Sequence, residues 1–175
     1  GGVRLIAIED NGADIAEQQL PLAVQRHATS KIRNLHDLES VATMGFRGEA
    51  LAAIAAVSEL SLLSAVAGAA HGYFLHTRSG EMRPGARAQG TTIEVRELFF
   101  STPARRKFLK SEATELAHCL ESVRRHALSR PDVGFSVWHE GKLVEQLRPG
   151  SASQRLQDVL GDTFIETSRE VDLQI

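Results

Sequence analysis

The chain has 175 residues, 42% of them apolar and 24% charged, and a formal net charge of −2. That balance is ordinary for a globular chain, argues against disorder, and does not mark a bulk nucleic-acid binder. The lone cysteine, Cys119, excludes an intrachain disulfide and a cysteine zinc cluster and suits a reducing compartment, and no apolar run approaches the roughly 18 residues of a membrane span.

The sequence opens without an initiator Met or a signal-peptide pattern, directly on a strand over 3–8, and reads as a piece of a longer protein. Glu9-Asp10-Asn11-Gly12 is a turn sequence. A helix of about ten residues is predicted next, with Leu20, Ala23, Val24 and His27 on one face. A polar loop over 28–31 leads to a short segment around 35–40. Gly45-Phe46-Arg47-Gly48-Glu49 then opens a second helix through about residue 57, so rich in Ala, Leu and Ile that burial on most sides is expected. Strands are predicted over 60–66, 73–78 and 91–96, with Ser79-Gly80 as a hairpin turn. Thr102 can cap a new helix and Pro103 suits its first position. A long helix begins near Ser111, with Leu116, Leu120, Val123 and Ala127 as its core stripe, and Pro131 ends it. A hairpin over 133–147 turns at Glu140-Gly141. Pro149-Gly150-Ser151 is the linker candidate, followed by a helix over 154–160 and a strand starting near Arg169. Helices interleave with consecutive, hairpin-joined strands, which predicts an α+β layered sandwich with a mixed sheet.

The phosphate-loop, dinucleotide and nucleophile-elbow motifs are absent, and the seven histidines are scattered without metal-ligand spacing. Three features remain. Asp10-Asn11-Gly12 is at once an Asx turn and a place where a carboxylate can accept from an exocyclic amine beside a backbone that a ring can approach. Gly45 to Leu51 is either a glycine turn before a buried helix or an anion cradle, in which amides and the helix N-terminus meet a phosphate and Arg47 adds a charged contact. Thr29, Ser30 and Lys31 offer two hydroxyls and an ammonium to the same anion, or line a solvated loop. From Arg96 to Lys110 five basic residues face one acidic residue, Glu97, a local net of +4 with Phe99, Phe100 and Phe108 interleaved. Its core, Arg105-Arg106-Lys107, is either a solvated helix surface or a face for DNA or a partner.

Taken in order, Asp10-Asn11-Gly12, Arg26 to Ile32, Gly45 to Leu51, Gly90-Thr91-Thr92 and Thr102 to Leu109 resemble the N-terminal ATPase region of the MutL DNA mismatch-repair family. That family belongs to the gyrase, heat-shock chaperone, histidine kinase and MutL superfamily. The resemblance implies a Bergerat-type fold: a two-layer α+β sandwich, a mixed β-sheet with helices on one face, plus the start of a second α/β domain. Residues 1–148 would form the ATP-binding domain without its first helix. Residues 149–175 would be a linker and the beginning of a ribosomal-protein-like transducer domain.

The resemblance also implies roles. Asp10 would accept from the adenine amino group, Gly12 would leave room for the base, and Thr91 would support the adenine contact. Thr29, Ser30 and Lys31 would lie near the phosphates, and Gly45, Phe46, Arg47, Gly48, Glu49, Ala50 and Leu51 would form the lid and helix start. ATP and Mg2+ are the implied cofactors. The catalytic glutamate and the magnesium-holding asparagine belong to a helix upstream of Gly1, so no catalytic or metal residue is expected in this chain, which alone should barely hydrolyse ATP. One departure stands out: Asp14 occupies the second glycine of the family's D-N-G-x-G-I pattern. The parent would be a slow ATPase whose N-terminal halves dimerise on ATP and couple MutS to a strand-cutting endonuclease and a helicase on DNA. It would work as a homodimer or paralogue heterodimer, in the bacterial cytoplasm or a eukaryotic nucleus, with no membrane role. The alternatives are a type II topoisomerase subunit, or a non-catalytic DNA-binding and interaction module whose nucleotide site is degraded at Asp14.

Overall fold

The computed structural model describes residues 3–28, 48–169 and 171. They form two compact units that divide between Leu109 and Lys110.

The first unit is built on a five-stranded sheet: β1 (Leu5–Asp10), β2 (Glu59–Ala65), β3 (Gly72–His76), β4 (Met82–Gly85) and β5 (Gly90–Arg96), in the order β1-β5-β2-β3-β4. The α+β class is as the sequence implies. The pairings among the described strands are all antiparallel, rather than the expected mix, because hairpins and short returns connect most of them. Strand β4 escaped the sequence reading because Met82-Arg83-Pro84-Gly85 has little strand propensity. It forms at the sheet edge, where Pro84 can pair with Tyr73 without a ladder donor being required of it.

Register sorts the side chains of one face into three rows. Ile6, Val95 and Leu60 form the first, and Ile8, Ile93, Leu62 and Leu75 the second. The third row is polar: Asp10, Thr91, Ser64 and Tyr73. Helices cover the apolar rows except at the β1 edge, where Ile8 is exposed. A 3-10 turn, Glu17–Gln19, runs into α1 (Leu20–Ala23), and α2 spans Ala50–Ala55. Leu20 is fully buried in a cluster with Leu60, Leu62, Leu75 and Val95, and Val24, Leu51, Ile54 and Ala55 pack against it. The first helix is shorter than its pattern suggested: it opens as the 3-10 turn, its C-cap Val24 already leaves helical geometry (φ −103°, ψ 5°), and His27 beyond it takes a left-handed backbone (φ 63°). Helix α2 is half-buried rather than buried on most sides: its alanines make its outer face look apolar, and among the described residues no core meets it. The opposite face of the sheet mixes Glu94, Arg96 and Arg83 with Leu63, Ala65 and Phe74.

Helix α3 (Pro103–Arg106) starts at Thr102 and Pro103 as predicted, but the Thr102 hydroxyl makes no capping bond and has no partner among the described residues.

The second unit holds α4 (Glu112–Ser129), the hairpin β6 (Phe135–His139) and β7 (Lys142–Leu147), α5 (Ala152–Leu160) and α6 (Asp162–Thr167). Ser111 caps α4 through the Thr114 amide, and Leu116, Leu120, Val123 and Ala127 are its inward stripe. Glu140 and Gly141 both take positive φ, the geometry a two-residue hairpin turn needs. The strand expected near Arg169 falls largely outside the described residues.

Arg155 on α5 holds this unit together. It is only 1% exposed, yet no carboxylate bonds to its guanidinium. Nη1 donates to the carbonyls of Ala127 (2.7 Å) and Arg130 (3.1 Å), at the negative end of α4. Nη2 donates to Pro131 (3.3 Å), Val133 (2.8 Å) and Arg148 (2.8 Å). One buried cation thus satisfies carbonyls from a helix end, a loop and a strand end that no regular ladder reaches. On the surface, Asp132 receives the Arg130 guanidinium, which holds its carboxyl below the usual value. Arg155→Ala is expected to cost about 3–5 kcal/mol, the scale of breaking a buried charged network. Arg155→Lys should recover only part of it, since an ammonium cannot span five acceptors. Urea denaturation of the three versions, followed by circular dichroism, measures both losses.

Candidate functional site

The polar row lies where β1 ends. Asp10 is its last residue, and Asp10 Oδ1 accepts from the Gly12 amide at 2.9 Å, closing an Asx turn. A Cβ at Gly12 would stand 3.3 Å from that same oxygen, so the missing side chain leaves the carboxylate accessible. Thr91, directly across on β5, is 4% exposed. Gly90 before it has φ 126°, and a Cβ there would overlap the Asp10 carbonyl oxygen. Glycine is therefore what lets β5 close on β1 at the acceptor.

Two residues that the sequence reading did not single out hold this pair. Ser64 lies next to Thr91 on β2, 2% exposed, with its Oγ 2.9 Å from Thr91 Oγ1. The Ile15 amide donates to Ser64 Oγ at 2.9 Å, which ties the loop after Asp10 to the sheet. Arg87 braces the other side: its Nη2 donates to the Asp10 carbonyl at 2.8 Å, and Nη1 bonds the Thr92 hydroxyl. The signal for Ser64 was present in the sequence, a hydroxyl closing the alternation Leu60, Leu62, Ser64 on the inner face. Arg87 gave none, because the Asp10 carbonyl it holds lies 77 residues away in sequence.

Beyond Ser64 a cavity of about 200 Å³ is lined by Ile15, Glu17, Ser64, His71 and Tyr73, among others. The Tyr73 hydroxyl donates to the Glu17 carboxylate, which, with some burial and the charge of Glu17, pushes the phenol above its ordinary pKa. The His71 and Tyr73 rings lie 5.2 Å apart.

Gly48 and Glu49 lead into α2. Gly48 has φ 63°, and a Cβ would overlap the Ala28 carbonyl oxygen, so the helix start is pressed against the end of the α1 segment. His27 Nδ1 and Glu49 Oε1 are 3.2 Å apart across this junction. Ala50 and Leu51 form the first turn of α2, where amides lack helical acceptors. Thr29, Ser30, Lys31, Gly45, Phe46 and Arg47 lie outside the described residues. Arg105, Arg106 and Lys107 are exposed on and just after α3, with Phe108 beside them 82% exposed. Among the described residues no three or more His, Cys, Asp or Glu gather as metal ligands.

Asp14 is half-buried, and its Oδ1 is buried without a hydrogen-bond partner among the described residues. Its φ is not positive, so its backbone does not lie in the region that favours glycine. The burden at this position is electrostatic, a desolvated carboxylate oxygen, rather than conformational.

No family model matches the chain. Individual relatives do. It is 56% identical to the DNA mismatch repair protein MutL of Ralstonia nicotianae over 94% of its own length, and 55% identical to that of Xanthomonas campestris over 98%. It belongs to the MutL family of DNA mismatch-repair proteins. The chain spans only about 26% and 28% of the length of those MutL relatives. Among solved structures, it resembles the Aquifex aeolicus MutL ATPase domain complexed with ADP, with a TM-score of 0.67 and 32% identity over 90% of this chain and 57% of that one. It also resembles the N-terminal domain of a DNA repair protein, with a TM-score of 0.75 and 27% identity over 98% of this chain and 52% of that one.

In this MutL-family chain the approach of β5 to β1 depends on Gly90. Gly90→Ala is expected to destabilise the protein by at least about 2 kcal/mol, because a disfavoured φ and a backbone overlap act together. A fall in the thermal midpoint measures it.

Proposed function

We propose that this chain carries most of the ATP-binding domain of a mismatch-repair ATPase. The observation that supports this reading most is the Asp10–Thr91 pair, a carboxylate acceptor and a buried hydroxyl facing the same way on adjacent strands, with glycines on both sides. Asp10 accepts from the adenine amino group, Thr91 supports the ring, and Gly12 admits it. The start of α2, with Gly48, Glu49, Ala50 and Leu51, offers amides to the phosphates, joined by Thr29, Ser30, Lys31, Gly45, Phe46 and Arg47. The ADP complex of the Aquifex aeolicus relative favours the same ligand class.

Mg2+ would accompany the nucleotide's phosphates as cofactor. The residues named here bind and orient the nucleotide. Residues 149–175 would begin the transducer domain, packed through Arg155 onto the preceding hairpin and helix. In the full-length protein, ATP favours the dimeric arrangement of the N-terminal halves and so acts as a switch. That arrangement would pass recognition by MutS to an endonuclease and a helicase on DNA. The exposed Arg105, Arg106 and Lys107 are the proposed DNA or partner face. A cytoplasmic bacterial setting fits the bacterial relatives.

A second reading, a binding module with an impaired nucleotide site, is favoured by one observation, the unpartnered Asp14 oxygen. Titration calorimetry of the full-length protein with ATP separates the two. Binding that falls by about 1.5–3 kcal/mol in Asp10→Ala, the scale of a hydrogen bond to a charged group, supports the ATP site. Asp14→Gly should tighten ATP severalfold by removing a carboxylate near the triphosphate. Undetectable ATP binding that Asp14→Gly restores would favour the impaired module. Neutralising Arg105, Arg106 and Lys107 together should lower the salt slope of DNA binding by up to about three ion equivalents, and an unchanged slope would leave these residues as a solvated face.

A further inference from the structure

The ladder between β1 and β5 stops at the Asp10–Thr91 pair, and the chain then turns at Asn11 and Gly12. Asp10 is therefore the residue of β1 that regular pairing holds least, since strand ends fray first. It is also the residue whose carboxylate closes the Asx turn with the Gly12 amide. The direction of that carboxylate follows the peptide plane between Asp10 and Asn11. Whatever holds the Asp10 carbonyl fixes that plane.

Arg87 holds it. Arg87 lies between β4 and β5, outside both strands, and its Nη2 donates to the Asp10 carbonyl at 2.8 Å. The donor is a cation, which makes the bond stronger than one between neutral groups. Gly90 makes room for it: a Cβ there would overlap the Asp10 carbonyl oxygen and stand 3.0 Å from Arg87 Nη2. The same missing side chain thus admits both the carbonyl and the guanidinium.

The other anchor of Arg87 shows from which side it works. Nη1 bonds the Thr92 hydroxyl. Side chains alternate along β5, so Thr92 belongs with Glu9, Leu63 and Phe74 on the face turned away from the Asp10 and Thr91 side chains. A ligand read by Asp10 and Thr91 on the helix side meets the effect of the Arg87 bond and not the guanidinium.

We propose that Arg87 is a positioning residue for nucleotide binding, which acts from the far face of the sheet by fixing the Asp10 carbonyl and so the direction of the Asp10 carboxylate. This rests on the nucleotide-site reading above. Because the bond is made to the main chain, it leaves the carboxylate itself free to accept from a ligand.

The test is calorimetric titration of the full-length protein with ATP. The versions compared are the parent, Arg87→Ala, Arg87→Lys, Asp10→Ala, the double variant Arg87→Ala with Asp10→Ala, and Arg83→Ala. Arg87→Ala should weaken ATP about three- to tenfold, the scale of one hydrogen bond. Arg87→Lys keeps the charge and a donor but not the two-pronged reach, and should recover part of the loss. The double variant should bind ATP as Asp10→Ala does, because the arginine acts through the aspartate. Arg83→Ala removes the cation that stands over the Phe74 ring on the same far face, and should keep the parental affinity. If Arg87→Ala does not fold, Arg87→Met, which keeps an apolar stem without the donors, carries the same expectation. Parental affinity in Arg87→Ala, an equal loss in Arg83→Ala, or losses at Arg87 and Asp10 that simply add overturns the role of Arg87, while a loss in Asp10→Ala leaves the ATP site standing. A parent protein that does not bind ATP, or an Asp10→Ala variant with parental affinity, overturns both.

Discussion

The antiparallel pairing of β1 with β5 is the interaction on which the candidate site depends. It puts Asp10 across from Thr91 on the face that the helices cover, and it can close only because residue 90 has no side chain. Everything else at the site is attached to that pair. Gly12 leaves its carboxylate open, Arg87 holds the Asp10 carbonyl from one side, and Ser64 holds the Thr91 hydroxyl from the other. The order of the face, two apolar rows and then a polar one, makes the same layer both core and candidate binding surface. The leucines exclude water from the sheet, and the hydroxyls beside them gain strength from the low local dielectric.

A different solution operates in the second unit. There the central interaction is a cation with no anion bonded to it, Arg155, whose charge is balanced by main-chain dipoles. Backbone carbonyls are weaker partners than a carboxylate but come in numbers, and five of them, from a helix end, a loop and a strand end, surround one guanidinium. The arrangement binds α5 to the end of α4 and to the hairpin without a large apolar core.

Much of this was readable in the chain, and the parts that were not share a cause. The alternation of Leu60 with Leu62, the stripe at Leu116, Leu120, Val123 and Ala127, and the Glu140-Gly141 turn are local patterns, and local patterns survive in sequence. Thr91 was picked out only because several motifs occurred in one order, and that order also decided between the two readings of Asp10 and Gly12. Individually they looked like a turn and a strand. Strand β4 and helix α6 were missed, the first because an edge tolerates proline and the second because Asp162 to Thr167 lacks a periodic stripe. Arg155, Arg87 and Ser64 act through residues up to 77 positions away, so no window of sequence displays their partners. Asp14 shows the reverse limit. Its departure from the family pattern was plain in the sequence, but its cost proved to lie in a buried oxygen and not in the backbone.

The central claim, that the polar row at the end of the sheet reads an adenine base, is tested most directly by backbone amide NMR of the full-length protein or its N-terminal half during titration with adenosine nucleotide. The account predicts shifts of the Gly12, Ile15 and Thr91 amides that saturate together, with those of the Arg155 clamp unmoved. Saturable binding that leaves Gly12, Ile15 and Thr91 unshifted would place the base elsewhere and contradict it.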